Sequence, residues 1–354
     1  MRIAITGAAG FIGSALCRQL ATADAAEIHG IDKLTYAANP VTLRELCALP
    51  GFKFYQTDIA DPAAIHATIR NIKPDAIIHL AAETHVDRSI DQTAPFVATN
   101  LAGTHHLLEA ALDHYRALPL AQQASFRFLH VSTDEVYGSL GATGAFTETS
   151  NFAPNSPYAA SKAGAEHLVR AWQQTFGLPT IISNCSNNYG PYQYPEKLIP
   201  HMILKALRGE RLPVYGRGIN VRDWLFVDDH VAALALILAR GVVGAKYHIG
   251  GLQEITNLAL VESLCDLLDA KLLDSGLRPH KNLIHFVDDR PGHDFRYAMN
   301  IDKIGKELGW RPKLGLAEGL ARTVDWYLAR QDWCAALETR YAGQRLGLGK
   351  TGHG

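Results

Sequence analysis

The sequence predicts a doubly wound α/β protein, a parallel sheet with helices on both faces, followed by a smaller C-terminal α/β domain. Three observations carry that expectation. Short β-branched runs alternate with longer helical patterns through the first half of the chain, the rhythm of β-α-β units that build parallel sheets. A glycine-rich turn, Gly7-Ala8-Ala9-Gly10-Phe11-Ile12-Gly13, joins the first such run to the first helical pattern. An acid, Asp32, closes the second run, 19 residues beyond Gly13.

In chain order, strands are expected at residues 2–6, 27–32, 52–56, 75–81, 126–132 and 179–184, with helices near 11–21, 62–71, 95–115 and 157–176. Asp61-Pro62 and Ser156-Pro157 each offer a capping side chain followed by proline at the first helical position. Beyond residue 184 the pattern loosens. Residues 189–200, rich in Pro, Tyr and Gly, read as a long loop, and helical patterns return near 197–208, 228–240, 257–268 and 315–330. These patterns divide the chain into a Rossmann-type nucleotide-binding domain at 1–184, rejoined by 224–250, and a substrate-binding domain at 185–330 packed over its ligand face. Residues 343–354 carry five glycines and no apolar periodicity, the composition of a flexible tail.

Composition excludes several function classes. Of 354 residues, 47% are hydrophobic and 19% charged, the balance of a globular protein and not of a disordered one. A formal charge of −1 gives no field to recruit nucleic acid or an acidic membrane, so an anionic ligand must be held by locally placed groups. No signal peptide precedes the first strand, and the apolar run at 231–239 is far too short to span a bilayer. Five scattered cysteines form neither a disulfide framework nor a zinc spacing, which fits the reducing cytoplasm. The histidine pairs His79/His85 and His105/His106 lack cysteine or carboxylate partners at zinc-like spacing, so no metal is expected.

The glycine turn has the context a dinucleotide requires. Glycines permit the tight turn and let a pyrophosphate approach the helix N-terminus, where free N–H groups and the helix dipole favour anions. Asp32, at the end of the second strand, can accept both ribose hydroxyls and repel a 2′-phosphate, which selects NAD over NADP. Asp58-Ile59 and Leu80-Ala81-Ala82 follow the third and fourth strands, where strand ends meet the ligand crevice.

Tyr158 and Lys162 stand four apart on a helix, hence on one face. A phenol titrates near pH 10 and acts as a base at neutral pH only with a cation beside it. Lys162 is expected to supply that charge and to reach the nicotinamide ribose. The strand at 126–132 ends in Ser132-Thr133-Asp134-Glu135. A simple alcohol dehydrogenation needs only a hydroxyl there, whereas an elimination needs paired carboxylates, one as acid for the leaving hydroxyl and one as base for a carbon-bound proton.

Taken together these segments resemble the extended short-chain dehydrogenase/reductase family, in its nucleotide-sugar 4,6-dehydratase branch, over residues 1–330. The carriers are Gly7 to Gly13, Asp32 to Tyr36, Leu80 to Ser89, Thr133-Asp134-Glu135, Tyr158 with Lys162, Asn187 to Pro191, and Asp289 to Asp294. The resemblance implies tightly bound NAD, dTDP-glucose as substrate, and a homodimer formed by the helices at 95–115 and 157–176. It adds Lys33, Leu34, Thr35, Thr99 and Asn188 to the cofactor site. It assigns Thr84, Thr133, Asn187, Lys197, Leu198, Pro213, Tyr215, Arg222, Asn257, Arg290 and His293 to the substrate, with the cations around the diphosphate. The implied chemistry is oxidation at carbon 4 with Tyr158 as base, loss of water across carbons 5 and 6 by Glu135 and Asp134, and reduction at carbon 6. Phe295 and Asn300 depart from the family's arginine and aspartate, which puts the orientation of the late loop in question. No residue reads thymine against uracil, so another nucleotide-sugar dehydratase or a UDP-glucuronate decarboxylase stays open. A non-catalytic NAD-binding sensor would have no reason to retain Tyr158, Lys162 and both acids.

Overall fold

Seven parallel strands make the central sheet. In chain order they are β1 (Arg2–Thr6), β2 (Glu27–Asp32), β3 (Phe52–Gln56), β4 (Ala76–His79), β5 (Arg127–Thr133), β6 (Thr180–Cys185) and a late strand, Lys246–Ile249. Their spatial order is Lys246–Ile249, β6, β5, β4, β1, β2, β3. The computed structural model describes residues 1–21 and 26–338, so the tail expected at 343–354 lies outside the described residues.

Apolar side chains along β1, β2 and β4 are buried on both faces, as a sheet covered by helices on each side demands. On one face Ile3, Ile5 and Leu16 share a core with Val231, Leu234 and Ile237, from the helices Phe11–Ala21 and Val227–Arg240. On the other, Ile65, Ile69, Leu107, Leu108 and Val169 form a second core, drawn from the helices Pro62–Ile72, Thr104–Ala117 and Pro157–Phe176. The expected caps are in place: Asp61 Oδ1 accepts from Ala64 N at 3.0 Å and Ser156 Oγ from Ala159 N at 3.1 Å.

The chain order reverses between β1 and β4, and the crevice outside the carboxyl ends of strands at such a switch point is where ligands bind in this architecture. A further core, centred on Ile199, Met202, Leu260, Leu264, Val324 and Tyr327, lies over that crevice. It is built on the helices Leu198–Leu207, Asn257–Lys271 and Leu316–Ala329, with a three-stranded sheet (Asn187–Tyr189, Val221–Phe226, Glu254–Thr256) and a strand pair (Leu212–Tyr215, Ile284–Val287).

Two departures from the sequence expectations bear on the site. The helix expected at 95–115 is three segments, with a π-helical stretch at Val97–Gly103 between Ala94–Phe96 and Thr104–Ala117. The wide turns let Asn100 leave the helical pattern and bind Glu83 N at 2.8 Å, Glu83 O at 3.0 Å and Ser161 Oγ at 2.9 Å. Among the short helices not expected are Pro40–Cys47 and Gln331–Glu338. They pack together through Trp333 Nε1, which donates to Thr42 Oγ1 at 2.7 Å, and Asn39 Nδ2, which donates to Trp333 O at 3.0 Å. Among the described residues no helix is long and apolar enough to cross a membrane.

Candidate active site

The glycine turn brings three pieces of backbone into contact. Gly7 takes φ +71°, and a Cβ there would lie 2.8 Å from Ala81 N, at the tip after β4. A Cβ on Gly13 would lie 2.1 Å from Gly7 O. No side chain fits at either position, so the start of the Phe11–Ala21 helix is drawn in against the ends of β1 and β4. Asp32 braces the turn, its carboxylate accepting from Ala9 N at 3.0 Å and Leu34 N at 2.8 Å. Burial raises its pKa and these two N–H groups pull it back. Lys33 Nζ donates to Thr99 Oγ1 at 3.0 Å, placing the π-helical residue beside the end of β2.

These groups open onto a cleft of about 350 Å³, a volume in the range of small-molecule sites. Gly7, Gly10, Phe11, Ile12, Gly13, Asp32, Lys33, Thr35, Asp58, Ile59, Leu80, Ala81, Ala82, Thr99 and Asn188 line it, as do Tyr158 and Lys162. Leu34 does not; at φ +61° it turns its backbone N–H to Asp32. A side-chain-free turn at a helix N-terminus, with an acid at the neighbouring strand end, suits a dinucleotide.

The strand tip of β5 enters the same cleft. Thr133 Oγ1 donates to Asp134 Oδ1 at 3.2 Å and accepts from Glu135 N at 3.3 Å. Asp134 is 2% exposed, and its Oδ2 is buried without a hydrogen-bond partner. Burial and then the neighbouring Glu135 push its pKa well above the usual carboxylate range, which favours the protonated form. Glu135 is only partly buried. Burial raises its pKa, but Arg290, Arg222 and Lys197 oppose the rise and favour the carboxylate.

Tyr158 and Lys162 are both buried in the cleft wall. Burial and the charge of Glu135 push the Tyr158 phenol well above its ordinary value, and a hydrogen bond with Thr133 opposes the rise. Lys162 Nζ is turned to Val131 O at 2.9 Å, and burial lowers its own pKa to about 8.

Thr84, Asn187, Lys197 and Leu198 line the cleft, and Lys197 Nζ donates to Thr84 O at 2.8 Å. Pro213, Tyr215, Arg222, Asn257, Arg290 and His293 do not line it. Arg290 Nη1 pairs with Asp87 Oδ1 at 2.5 Å, Tyr215 Oη donates to Asp87 Oδ2 at 2.9 Å, and His293 Nδ1 meets Asp289 Oδ1 at 2.6 Å. Arg222 is buried against the late loop: it donates to Val221 O, Asp294 O and Phe295 O and lies 4.4 Å over the Tyr297 ring. It does not pair with Asp223, whose carboxylate accepts from Gly251 N and Gln253 N. Pro213 sits in the Leu212–Tyr215 strand, and Asn257 opens its helix with its N–H bound to Asn220 O. Arg222 and Arg290 still flank Glu135 closely enough to act on its charge.

The departures Phe295 and Asn300 leave the late loop fastened: Phe295 N donates to Ser139 Oγ at 2.8 Å and Asn300 N to Phe146 O at 2.8 Å. Residues not foreseen also line the cleft, among them Ser186, Tyr192, Tyr194, Glu196 and Trp333. The Tyr- and Pro-rich composition of 189–200 was the available signal for the middle three, but it read as a loop. His79 bridges Thr6 Oγ1 at 2.7 Å and Thr104 Oγ1 at 2.9 Å, and His85 Nε2 meets Glu196 O at 3.3 Å. Among the described residues no cluster of three or more His, Cys, Asp or Glu could hold a metal.

Comparison with known proteins places this geometry. The family model described as GDP-mannose 4,6 dehydratase matches residues 4–323. A dTDP-glucose 4,6-dehydratase of Neisseria meningitidis is 51% identical over 353 residues, covering 99% of each chain. The crystal structure of a dTDP-glucose 4,6-dehydratase from Streptomyces venezuelae with NAD and dTDP bound is 46% identical, covers 94% of this chain and 98% of that one, and superposes with a TM-score of 0.85. That of Bacillus anthracis, in complex with NAD, is 41% identical over 95% of this chain and 99% of that one, with a TM-score of 0.82.

Proposed function

The chain belongs to the dTDP-glucose 4,6-dehydratase family, and we propose from that premise that it converts dTDP-glucose to dTDP-4-keto-6-deoxyglucose, acting as a hydro-lyase with NAD. The observation that carries the proposal is the unlike pair at the β5 tip. Asp134 is sealed, its pKa pushed well above the usual carboxylate range, and Glu135 is half-buried and flanked by Arg290, Arg222 and Lys197. One is suited to donate a proton and the other to take one.

NAD fits the glycine turn, Asp32 and the Lys162 side of the cleft, and when bound it accepts hydride from carbon 4 of the sugar and returns it to carbon 6. The remaining steps fall to the chain's own groups. Thr133, in reach of both Asp134 and the Tyr158 hydroxyl, holds the sugar 4-hydroxyl. Tyr158 takes the 4-hydroxyl proton as the ketone forms. The ketone acidifies the proton on carbon 5, Glu135 removes it, Asp134 gives its proton to the departing 6-hydroxyl, and Glu135 returns a proton to carbon 5 as carbon 6 is reduced. The cofactor ends each turn as it began, so the net reaction is loss of water.

The core over the crevice, drawn mostly from residues 185–330, is assigned to the nucleotide sugar. Arg290 and Lys197 supply the local cations that a chain of −1 formal charge needs for a diphosphate. A homodimer through the 95–115 and 157–176 helices and a cytoplasmic location complete the proposal. Light scattering giving only monomer at micromolar concentration would overturn the dimer. Incubation with dTDP-glucose and UDP-glucose side by side tests the substrate: turnover of the first with little of the second is expected, and the reverse would reassign the base pocket.

A further inference from the structure

The segment that leaves Asp32 along the cofactor side of the cleft is held from the far end of the chain. Asn39, seven residues beyond Asp32, caps the Pro40–Cys47 helix and lines the cleft together with Thr42. This short helix has a foot in each core. Leu46 packs with Ile3, Ile5 and Leu16 beside the sheet, and Val41 packs into the core over the crevice. The Gln331–Glu338 helix supplies the fastening. Trp333, 1% exposed, donates through Nε1 to Thr42 Oγ1 at 2.7 Å, and its carbonyl accepts from Asn39 Nδ2 at 3.0 Å.

A second set of links lies just outside the cleft. Arg330, the residue before this helix, pairs with Glu45 Oε1 at 2.7 Å and donates to Tyr192 Oη at 3.3 Å, and the Tyr192 hydroxyl donates to Glu45 Oε2 at 2.7 Å. The Tyr192 ring carries the guanidinium of Arg18 at 3.9 Å, from the helix that starts at the glycine turn, and lies 4.6 Å from the Trp326 ring. Trp333, Cys334 and Leu337 bury the inner face of the last helix in the core over the crevice. A helix that merely completed that core would have no need to reach the cleft. Here Trp333, Thr42, Asn39 and Tyr192 all line it. The last helix, the segment after β2 and the loop after residue 189 therefore meet in one stretch of wall. The polar bonds joining them are few, and local opening draws on links of this kind while the sheet stays intact.

We propose that the Gln331–Glu338 helix is a strap on the cofactor side of the cleft, with the Trp333–Thr42 hydrogen bond as its clasp, and that it sets how fast NAD leaves. The proposal rests on the dehydratase reading above and extends it to residues outside the glycine turn and the β5 tip. In that reading one nicotinamide is reduced at the expense of carbon 4 and reoxidised at carbon 6. A cofactor that left between the two hydride transfers would strand the ketone, so slow release has a use.

The test uses the full-length chain loaded with NADH. Mixed with excess NAD, it loses NADH fluorescence at the rate of release, a reading that needs no nucleotide sugar. Thr42→Val and Trp333→Phe each break the clasp and keep an apolar group of similar shape in place. Each should speed release by about three- to tenfold. The double variant should release NADH about as fast as either single variant, since both remove the same bond. Arg330→Met cuts the Glu45 and Tyr192 links and should also speed release. Leu268→Ala, in the same core but on the Asn257–Lys271 helix, measures plain destabilisation. It should lower the melting temperature at least as far as the clasp variants do and leave release unchanged. Unchanged release in Thr42→Val and Trp333→Phe would overturn the proposal, as would equal quickening by Leu268→Ala or a double variant whose effect is the product of the two. A wild type that binds NADH but does not act on dTDP-glucose, with release quickened in the clasp variants, faults the dehydratase reading alone.

Discussion

Asp134 and Glu135 are adjacent in the chain and opposite in environment. A 3₁₀ turn at Asp134–Tyr137 follows β5 directly, so the two side chains leave the strand end in different directions. Asp134 receives the Thr133 hydroxyl on one oxygen and has no partner on the other; Glu135 lies in the field of Arg290, Arg222 and Lys197. Burial raises both carboxyls, Asp134 the further, and the three cations oppose the rise at Glu135.

Asp32 carries two tasks, and its replacement should show both. Asp32→Ala is expected to weaken NAD binding and relax the preference for NAD over NADP. Because its carboxylate also ties Ala9 N and Leu34 N, the variant should lose stability as well, by about 1–3 kcal/mol. Dissociation constants for NAD and NADP, read by fluorescence, check the first effect and urea melts the second. An unchanged cofactor preference would mean that the ribose contact lies elsewhere.

The two arginines are expected to separate. Arg290 meets Asp87 at the edge of the site, so Arg290→Ala should raise KM for the nucleotide sugar far more than it lowers kcat, because the diphosphate is unchanged during reaction. Arg222→Ala should raise KM too, but it also frees the carbonyls of Val221, Asp294 and Phe295 and the Tyr297 ring. Its melting temperature should therefore fall while that of Arg290→Ala falls less. Steady-state kinetics and thermal melts of both variants decide it. Equal stability with no change in KM would leave Arg222 without either role.

Acid should destabilise the fold through its buried histidines. Burial depresses His79, His230 and His248 to about 3, against an unfolded value near 6.5. The unfolded chain takes up protons as pH falls below that value and the folded chain does not. The stability these neutral histidines contribute is thus full above about pH 6.5 and is lost progressively as pH falls toward 3. Each costs roughly 1 kcal/mol per pH unit in that window. Urea denaturation at pH 7.5 and 5.5 should give a clearly lower midpoint at the acid value; equal midpoints would contradict it.

Much of the site was legible because its signals are local. The Gly7–Gly13 turn, Asp32 at the end of β2 and the acids after β5 follow from strand-turn-helix order, and both proline-preceded caps fall where the residues put them. What was missed depends on distant partners. The π-helical stretch reflects Asn100 reaching Glu83 and Ser161, a contact absent from any helical pattern. Trp333 lines the cleft because it binds Thr42, 291 residues earlier in the chain. The direction of Lys162 was likewise illegible: spacing puts it on the face of Tyr158, but the Val131 carbonyl decides where the ammonium points.

Tyr158→Phe and Glu135→Gln should stop the reaction at different points. The first removes the group that takes the 4-hydroxyl proton, so oxidation slows by about a hundredfold to ten-thousandfold and no reduced nicotinamide is seen. Thr133→Ala should slow the same step without abolishing it. Asp134→Asn should impair departure of the 6-hydroxyl, with a smaller block where Glu135 also serves as acid.

Glu135→Gln offers the most direct measurement. An amide cannot remove the proton on carbon 5, so on mixing with dTDP-glucose the variant should oxidise carbon 4 and stall, with near-ultraviolet absorbance of enzyme-bound NADH rising to a plateau and little product formed. In deuterated water the unmodified enzyme should yield product labelled at carbon 5. A Glu135→Gln enzyme that turns over normally, or a wild-type product without deuterium at carbon 5, would contradict elimination by the Asp134–Glu135 pair.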